Sequence, residues 1–258
     1  MTLNTSENKG MKKQRVALIT GSSKGLGKAM AFALGAKGFA VALNYYNGRE
    51  KAEETFAEFK AQGYTGMLVQ ANAIDSDDVS RMCAEVREDL GPVDVLIPNA
   101  TGPQPLKPIE EYDWSFYQEM LDFFIKSPYL LARECLPHMK EERWGRIINI
   151  GSEVYDRGVG NFSAYVSAKG GQRGWTRSMA SELAPWNITV NMVSPGWIPV
   201  ERHEDDPEDL KAEYLAGVPL GRWGVPSDIG AACGFLAGED AGFITGQTLV
   251  VNGGVTTC

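Results

Sequence analysis

Tyr165 and Lys169 lie four positions apart in a stretch of helical composition, so their side chains rise from one face and can reach one pocket. A phenol beside an ammonium can give or take a proton near neutral pH, because the positive charge favours the tyrosinate. Ser152 follows directly on the apolar run RIINI at 146–150, where its hydroxyl could hold a substrate oxygen while Tyr165 moves the proton. These three residues supply the acid/base half of a carbonyl–alcohol interconversion. A Tyr-x-x-x-Lys pair alone decorates many exposed helices, and its meaning depends on what could supply the hydride.

That supply is suggested by the run Thr20-Gly21-Ser22-Ser23-Lys24-Gly25-Leu26-Gly27, set between the β-like RVALIT at 15–20 and the helical KAMAFALGAKG. Glycines at 21, 25 and 27 permit a tight turn and let a pyrophosphate approach backbone N–H groups at the positive end of a helix. A nucleoside-triphosphate loop is excluded because no Gly-Lys-Ser/Thr follows in register. Nucleophilic hydrolysis has little support: Ser152 lacks the G-x-S-x-G elbow, and neither His138 nor His203 has the context of a base. The pattern therefore points to an oxidoreductase that binds a dinucleotide.

Sites that prefer NAD place an acid near the end of the second strand to hold the ribose hydroxyls. Here that segment reads Asn44-Tyr45-Tyr46-Asn47-Gly48-Arg49, with no acid until Glu50, and Lys24 protrudes from the Gly-rich turn. Lys24, with Arg49, can pair with a 2'-phosphate, so NADP(H) is preferred over NAD(H). The alternative is that both cations merely face water.

Strand-like runs at 15–20, 39–46, 66–71, 93–97, 146–150, 188–193 and 247–251 alternate with helical segments at 50–62, 76–90, 112–137, 163–184 and 227–237. Seven strands separated by helices predict an α/β fold, a single doubly wound domain with a seven-stranded parallel sheet flanked by helices. A (β/α)₈ barrel would need an eighth strand and gives no reason for the early Gly-rich turn. Nothing between residues 15 and 254 reads as a linker, so the expected organisation is a flexible polar arm at 1–13 and one dinucleotide-binding and catalytic domain at 14–258. Met11 is an alternative start.

The 258 residues carry 25 Lys+Arg against 33 Asp+Glu, a formal charge of -8, with acid concentrated in ERHEDDPEDL at 201–210. This argues against a nucleic-acid face. The four cysteines have no metal spacing, so neither a metal site nor a disulfide framework is expected. The N-terminus lacks a secretory core and no later stretch reads as a membrane span, which predicts a cytoplasmic protein with no membrane partner.

With TGSSKGLG at 20–27, Asn99-Ala100, Ser152, YVSAK at 165–169, VNMVSPG at 190–196 and TGQTLVVNGG near the end, the chain resembles the classical short-chain dehydrogenase/reductase family over about residues 14–254. The resemblance implies a Rossmann-type fold with catalytic Ser152, Tyr165 and Lys169. The implied cofactor residues are Gly21, Ser23, Lys24, Gly25, Leu26 and Gly27 on the phosphate side. Asn72 falls where an adenine-contacting aspartate is common, with Tyr45 and Ala73 in the same set. Asn99, Ala100, Pro195, Gly196 and Ile198 lie toward the nicotinamide, together with Tyr165 and Lys169.

Three departures from the family pattern stand out: Thr101 follows Asn99-Ala100 in place of glycine, Val200 replaces a common threonine, and Phe124 falls on the catalytic-tetrad asparagine. Phenylalanine retains a backbone carbonyl but has no amide. The expected consequence is reduced turnover or a pocket rebuilt around an aromatic wall; a catalytically impaired NADP(H)-binding regulatory or interaction protein is the alternative function.

The pattern is also similar to bacterial 3-oxoacyl-carrier-protein reductases, yet of two carrier-docking arginines only Arg143 is present, the other position being Ser181. An acyl carrier is thus possible but not favoured over a small carbonyl or alcohol. Tyr155, Trp197, Tyr214 and Trp223 are expected to border the pocket, and 197–223 has the length and charge of a substrate lid. Family members commonly assemble through the helices near 112–137 and 163–184, which implies a homotetramer, with a dimer as the alternative.

Overall fold

The strands are rich in apolar residues because both faces of the sheet are covered, and every residue of the central ones is buried, Asp94, Arg146 and Asn149 included. In the computed structural model, which describes residues 14–257, they are β1 (Val16–Ile19), β2 (Ala40–Tyr45), β3 (Gly66–Gln70), β4 (Val93–Ile97), β5 (Gly145–Ile150), β6 (Ile188–Pro195) and β7 (Thr248–Val251). The arm expected at 1–13 lies outside the described residues.

All six pairings are parallel, in the order β3-β2-β1-β4-β5-β6-β7. The chain builds outward from β1 to β3, then returns to lay β4 on the other side of β1. This reversal opens a crevice at the carboxyl ends of β1 and β4, where such sheets bind ligands.

The helices are α1 (Gly25–Ala36), α2 (Arg49–Ala61), α3 (Ser76–Asp89), α4 (Trp114–Leu121), α5 (Ser127–Glu141), the short α6 (Val154–Arg157), α7 (Ser163–Leu183), α8 (Glu208–Ala216) and α9 (Pro226–Leu236). Two apolar cores result, one per sheet face. Leu18, Leu96, Ile147 and Val190 meet α3, α5 and α7 on one side; Ile19, Ile97, Ile148 and Val193 meet α1 and α9 on the other.

The helix expected at 112–137 is interrupted. A π-helical turn, Asp122–Lys126, separates α4 from α5 and carries Phe124 into a third buried cluster with Met120, Ala164, Tyr165 and Ala168. Pro128 contributes to the break, since it has no N–H to donate to the Phe124 carbonyl four residues back. α8, inside the expected lid, has no buried residue and therefore no apolar stripe from which it could be anticipated. No helix among the described residues is long and apolar enough to cross a membrane.

Candidate active site

The Gly-rich turn fits a dinucleotide because side chains are excluded from it. A Cβ on Gly27 would lie 2.2 Å from the Gly21 carbonyl oxygen and 2.7 Å from Ser22 Cα; one on Gly21 would lie 2.9 Å from Ala100 Cα. Gly21 and Gly25 have φ of 62° and 54°, in the left-handed region that favours glycine. The turn brings the backbone against the start of α1, whose first N–H groups form an anion-binding end.

Neighbouring strand ends lock this turn. Asn99 Nδ2 donates to the carbonyls of Thr20 (2.9 Å) and Gly21 (3.0 Å), while Thr20 Oγ1 accepts from the N–H groups of Asn99 and Ala100. Asn44, buried at the end of β2, accepts from Gly21 N–H at 3.2 Å and donates to the Ala71 carbonyl at 3.0 Å. Asn44 stands where an NAD site would place its ribose-binding acid nearby, and its amide is spent on tying the Gly-rich turn to the end of β3. The missing acid is visible in the sequence; this positioning role is visible only in the fold.

Lys24 is exposed at the N-cap of α1, with no side-chain partner among the described residues. Arg49 engages the Gln70 side chain at 3.2 Å and Glu53 at 3.7 Å. Tyr45 is buried beside Gln70, and Asn72 uses its side-chain oxygen to accept from Ile74 N–H. Ser23 offers its carbonyl to Thr55, Leu26 packs on the core, and Ala73 is buried.

The catalytic candidates converge beside this crevice. Ser152 follows β5, and its hydroxyl is hydrogen-bonded to that of Tyr165 on α7. Tyr117 and Ser163 hydroxyls, 2.6 Å apart, tie α4 to the start of α7. The Tyr165 ring lies between Phe162 and Phe124, at centroid distances of 4.8 and 5.3 Å. Lys169 Nζ donates to the Ile150 carbonyl at 2.5 Å and to Gln172 Oε1 at 3.2 Å, and sits 3.6 Å from the centre of the Phe124 ring.

This dry setting governs the electrostatics. Burial raises the Tyr165 phenol above its ordinary pKa, while the Arg202 charge and the Ser152 hydrogen bond pull it partly back. Burial, reinforced by Arg202, pushes the Lys169 ammonium well below its usual range. The pull on the phenol comes from Arg202 and Ser152, and not from Lys169 as the sequence suggests. The only available signal was a cation inside an otherwise acidic run.

Past β6, Gly196 has no room for a side chain: a Cβ would lie 2.5 Å from the Tyr214 hydroxyl. That hydroxyl accepts from Trp197 N–H at 2.8 Å, and Ile198 is buried next in the chain. Trp197, Tyr214, Trp223 and His203 form one aromatic cluster within the lid. Tyr155 lies apart from it, packed on Arg173 at 5.0 Å. A cavity of about 970 Å³ between α1, the lid turn and α8 touches Gly25 but none of Ser152, Tyr165 or Lys169, so its size is no guide to where the chemistry occurs.

The family profile described as Enoyl-(Acyl carrier protein) reductase matches residues 21–256. The chain belongs to the short-chain dehydrogenase/reductase family. It is 39% identical over 247 residues to 3-oxoacyl-[acyl-carrier-protein] reductase FabG of Staphylococcus aureus, covering 95% of this chain and 99% of that one. It is 35% identical over 242 residues to nodulation protein G of Azospirillum brasilense, covering 94% and 98%. A solved chain from Agrobacterium tumefaciens, named a "putative gluconate dehydrogenase", superposes with a TM-score of 0.88 at 31% identity, covering 95% of this chain and 97% of that chain.

The chain is an oxidoreductase of this family, with NADP(H) as its cofactor. The bound cofactor supplies or accepts a hydride at its nicotinamide. The Gly-rich turn would hold its phosphates, Asn99 and Ala100 would adjoin it, and the segment from Pro195 to Ile198 would border the nicotinamide.

Proposed function

We propose that the protein interconverts a small carbonyl compound and its alcohol, with Tyr165 as acid/base, Ser152 orienting the substrate oxygen and Lys169 supporting the charge that develops on Tyr165. The observation that carries this reading is the Ser152–Tyr165 hydroxyl pair, on the same sheet edge as the Gly27 cradle. In reduction the Tyr165 proton passes to the carbonyl oxygen as hydride reaches its carbon. Oxidation runs the same steps backwards.

The aromatic lid and the rings around Tyr165 support a compact, partly apolar substrate. An acyl carrier is less favoured, since Arg143 donates to the Pro185 carbonyl at 2.8 Å and Ser181 offers no charge. A hydroxy or sugar acid belongs among the candidates because the similar Agrobacterium chain bears a gluconate name and Arg202 acts on Tyr165. The reading includes a homotetramer, supported by exposed Ile109, Trp114 and Phe243. It also includes a cytoplasmic location, supported by free, buried Cys83, Cys135 and Cys233.

The test is a cofactor-coupled screen in both directions over aldehydes, ketones, sugars, sugar acids, cyclic alcohols and acyl thioesters, with Tyr165→Phe as control. Turnover that disappears in the control supports the proposal. Tight NADP(H) binding without turnover on any class overturns it in favour of a regulatory cofactor-binding protein.

A further inference from the structure

The burial of Lys169 presents a physical problem. Its ammonium is buried, with only 4% of the residue exposed, and no carboxylate is among the groups that act on it in the described residues. An unpaired buried cation tends to lose its proton, and a neutral lysine could not support a tyrosinate. The groups facing Nζ are the Ile150 carbonyl from β5, Gln172 Oε1 from α7 and the Phe124 ring from the π turn. The Tyr165 ring centre is 5.6 Å away, and Arg202 acts from the lid with repulsive charge.

An ammonium has three N–H groups. Two are satisfied by oxygen acceptors, and the side left over meets the face of Phe124 at 3.6 Å, where the ring's negative quadrupole lies. The same ring meets Tyr165 at an interplanar angle of 77°. Phenylalanine can do this without needing a hydrogen bond of its own, whereas an amide here would be a further polar group to satisfy in a dry pocket.

We propose that Phe124 is a positioning residue whose ring face, with the Ile150 carbonyl and the Gln172 amide oxygen, forms a cage that keeps the Lys169 ammonium charged and fixed beneath Tyr165. The catalytic meaning of the cage rests on the oxidoreductase reading above; its existence does not. The aromatic at 124 then replaces one means of holding the lysine with another, and the π turn is the backbone device that brings the ring inward.

The experiment uses the full chain with lysine labelled at the ε carbon, comparing wild type, Phe124→Leu and Phe124→Tyr by NMR, with the Lys169 signal assigned by its loss in Lys169→Met. Wild type and Phe124→Tyr should show the Lys169 ε-protons moved upfield by the ring. In Phe124→Leu the signal should return to the ordinary lysine position and its titration midpoint should fall. On a substrate from the screen, alcohol oxidation at neutral pH should drop about three- to thirtyfold in Phe124→Leu and recover in Phe124→Tyr.

A wild-type signal with no upfield shift overturns the cage, even if Phe124→Leu fails to fold. So does an unmoved midpoint in a folded Phe124→Leu, or a stable Phe124→Asn that transfers hydride faster than wild type. If the screen yields no substrate, the NMR comparison still decides the cage, so the two failures are distinguishable.

Discussion

The backbone N–H of Gly25, the first residue of α1, faces the Glu201 carboxylate of the lid at 3.5 Å. A carboxylate therefore lies at the helix end suited to a phosphate, and the lid and the cofactor compete for the same positive end. Glu201→Gln removes the competing charge while preserving shape. The exposed setting limits the gain to about 0.3–1 kcal/mol, so NADPH should bind roughly two- to fivefold tighter at low salt. Titration calorimetry at two ionic strengths checks this, and unchanged affinity in both would remove Glu201 from cofactor binding.

Lys24 has the opposite sign at the same helix end. One charge-assisted contact to a 2'-phosphate contributes about 1.5–3 kcal/mol, so Lys24→Ala should weaken NADPH by roughly one to two decades while leaving NADH nearly unchanged. Matched dissociation constants at fixed salt decide the point. Equal losses for the two cofactors would mean that Lys24 serves the shared pyrophosphate instead.

The strands were legible because burial on both faces writes them as short apolar-rich runs, interrupted in β5 and β6 by buried polar residues such as Asn149 and Asn191. The residues proposed for acid/base work were legible because Tyr165 and Lys169 share one helix face and Ser152 sits at a strand end. The rest depends on tertiary contacts. Pro128 alone does not mark a π turn at 122–126, since the turn also needs the burial of Phe124 against Tyr165 and Lys169. Asn44 reads as an ordinary strand residue until β3 and the Gly-rich turn are placed on either side of it. Arg202 becomes relevant only when the lid carries its charge back to α7.

Gly27→Ala tests the cradle directly. Its new methyl would fall 2.2 Å from the Gly21 carbonyl oxygen, a backbone atom that cannot step aside without moving the phosphate turn. Overpacking of this kind costs about 1–3 kcal/mol, which in a chain of this size lowers Tm by roughly 2–12 °C. NADPH affinity should fall with it. A variant with wild-type Tm and affinity would show that the turn can open to admit a methyl group.

The two directions of the reaction should depend on pH with opposite sense. Burial raises the Tyr165 pKa, so the phenol stays protonated through neutrality. Reduction, which needs the phenol, should be flat across neutral pH and fall only on the alkaline side. Oxidation, which needs the phenolate, should climb about tenfold per pH unit below the same limb. Tyr165→Phe should cost at least about a hundredfold in both directions while retaining cofactor binding. Reduction that declines as pH rises through 6 to 8, with the decline belonging to Tyr165, would contradict the raised phenol.

Arg202 lowers the pKa of both Tyr165 and Lys169, so replacing it with methionine acts on the two groups together. Without the cation the phenol ionises less readily, and the alkaline limb of reduction should move to higher pH. Lys169 simultaneously holds its proton more firmly, and its charge opposes that movement. The side chain is exposed, and solvent and salt screen its field, so the net displacement should be largest at low ionic strength. Comparing pH–rate profiles of wild type and Arg202→Met at about 20 mM and about 500 mM salt separates a field effect from a packing effect, because the Debye length shrinks severalfold between them. A displacement that persists unchanged at high salt would assign Arg202 to lid packing through His203, which its Nε contacts at 3.1 Å, instead of to the field at Tyr165.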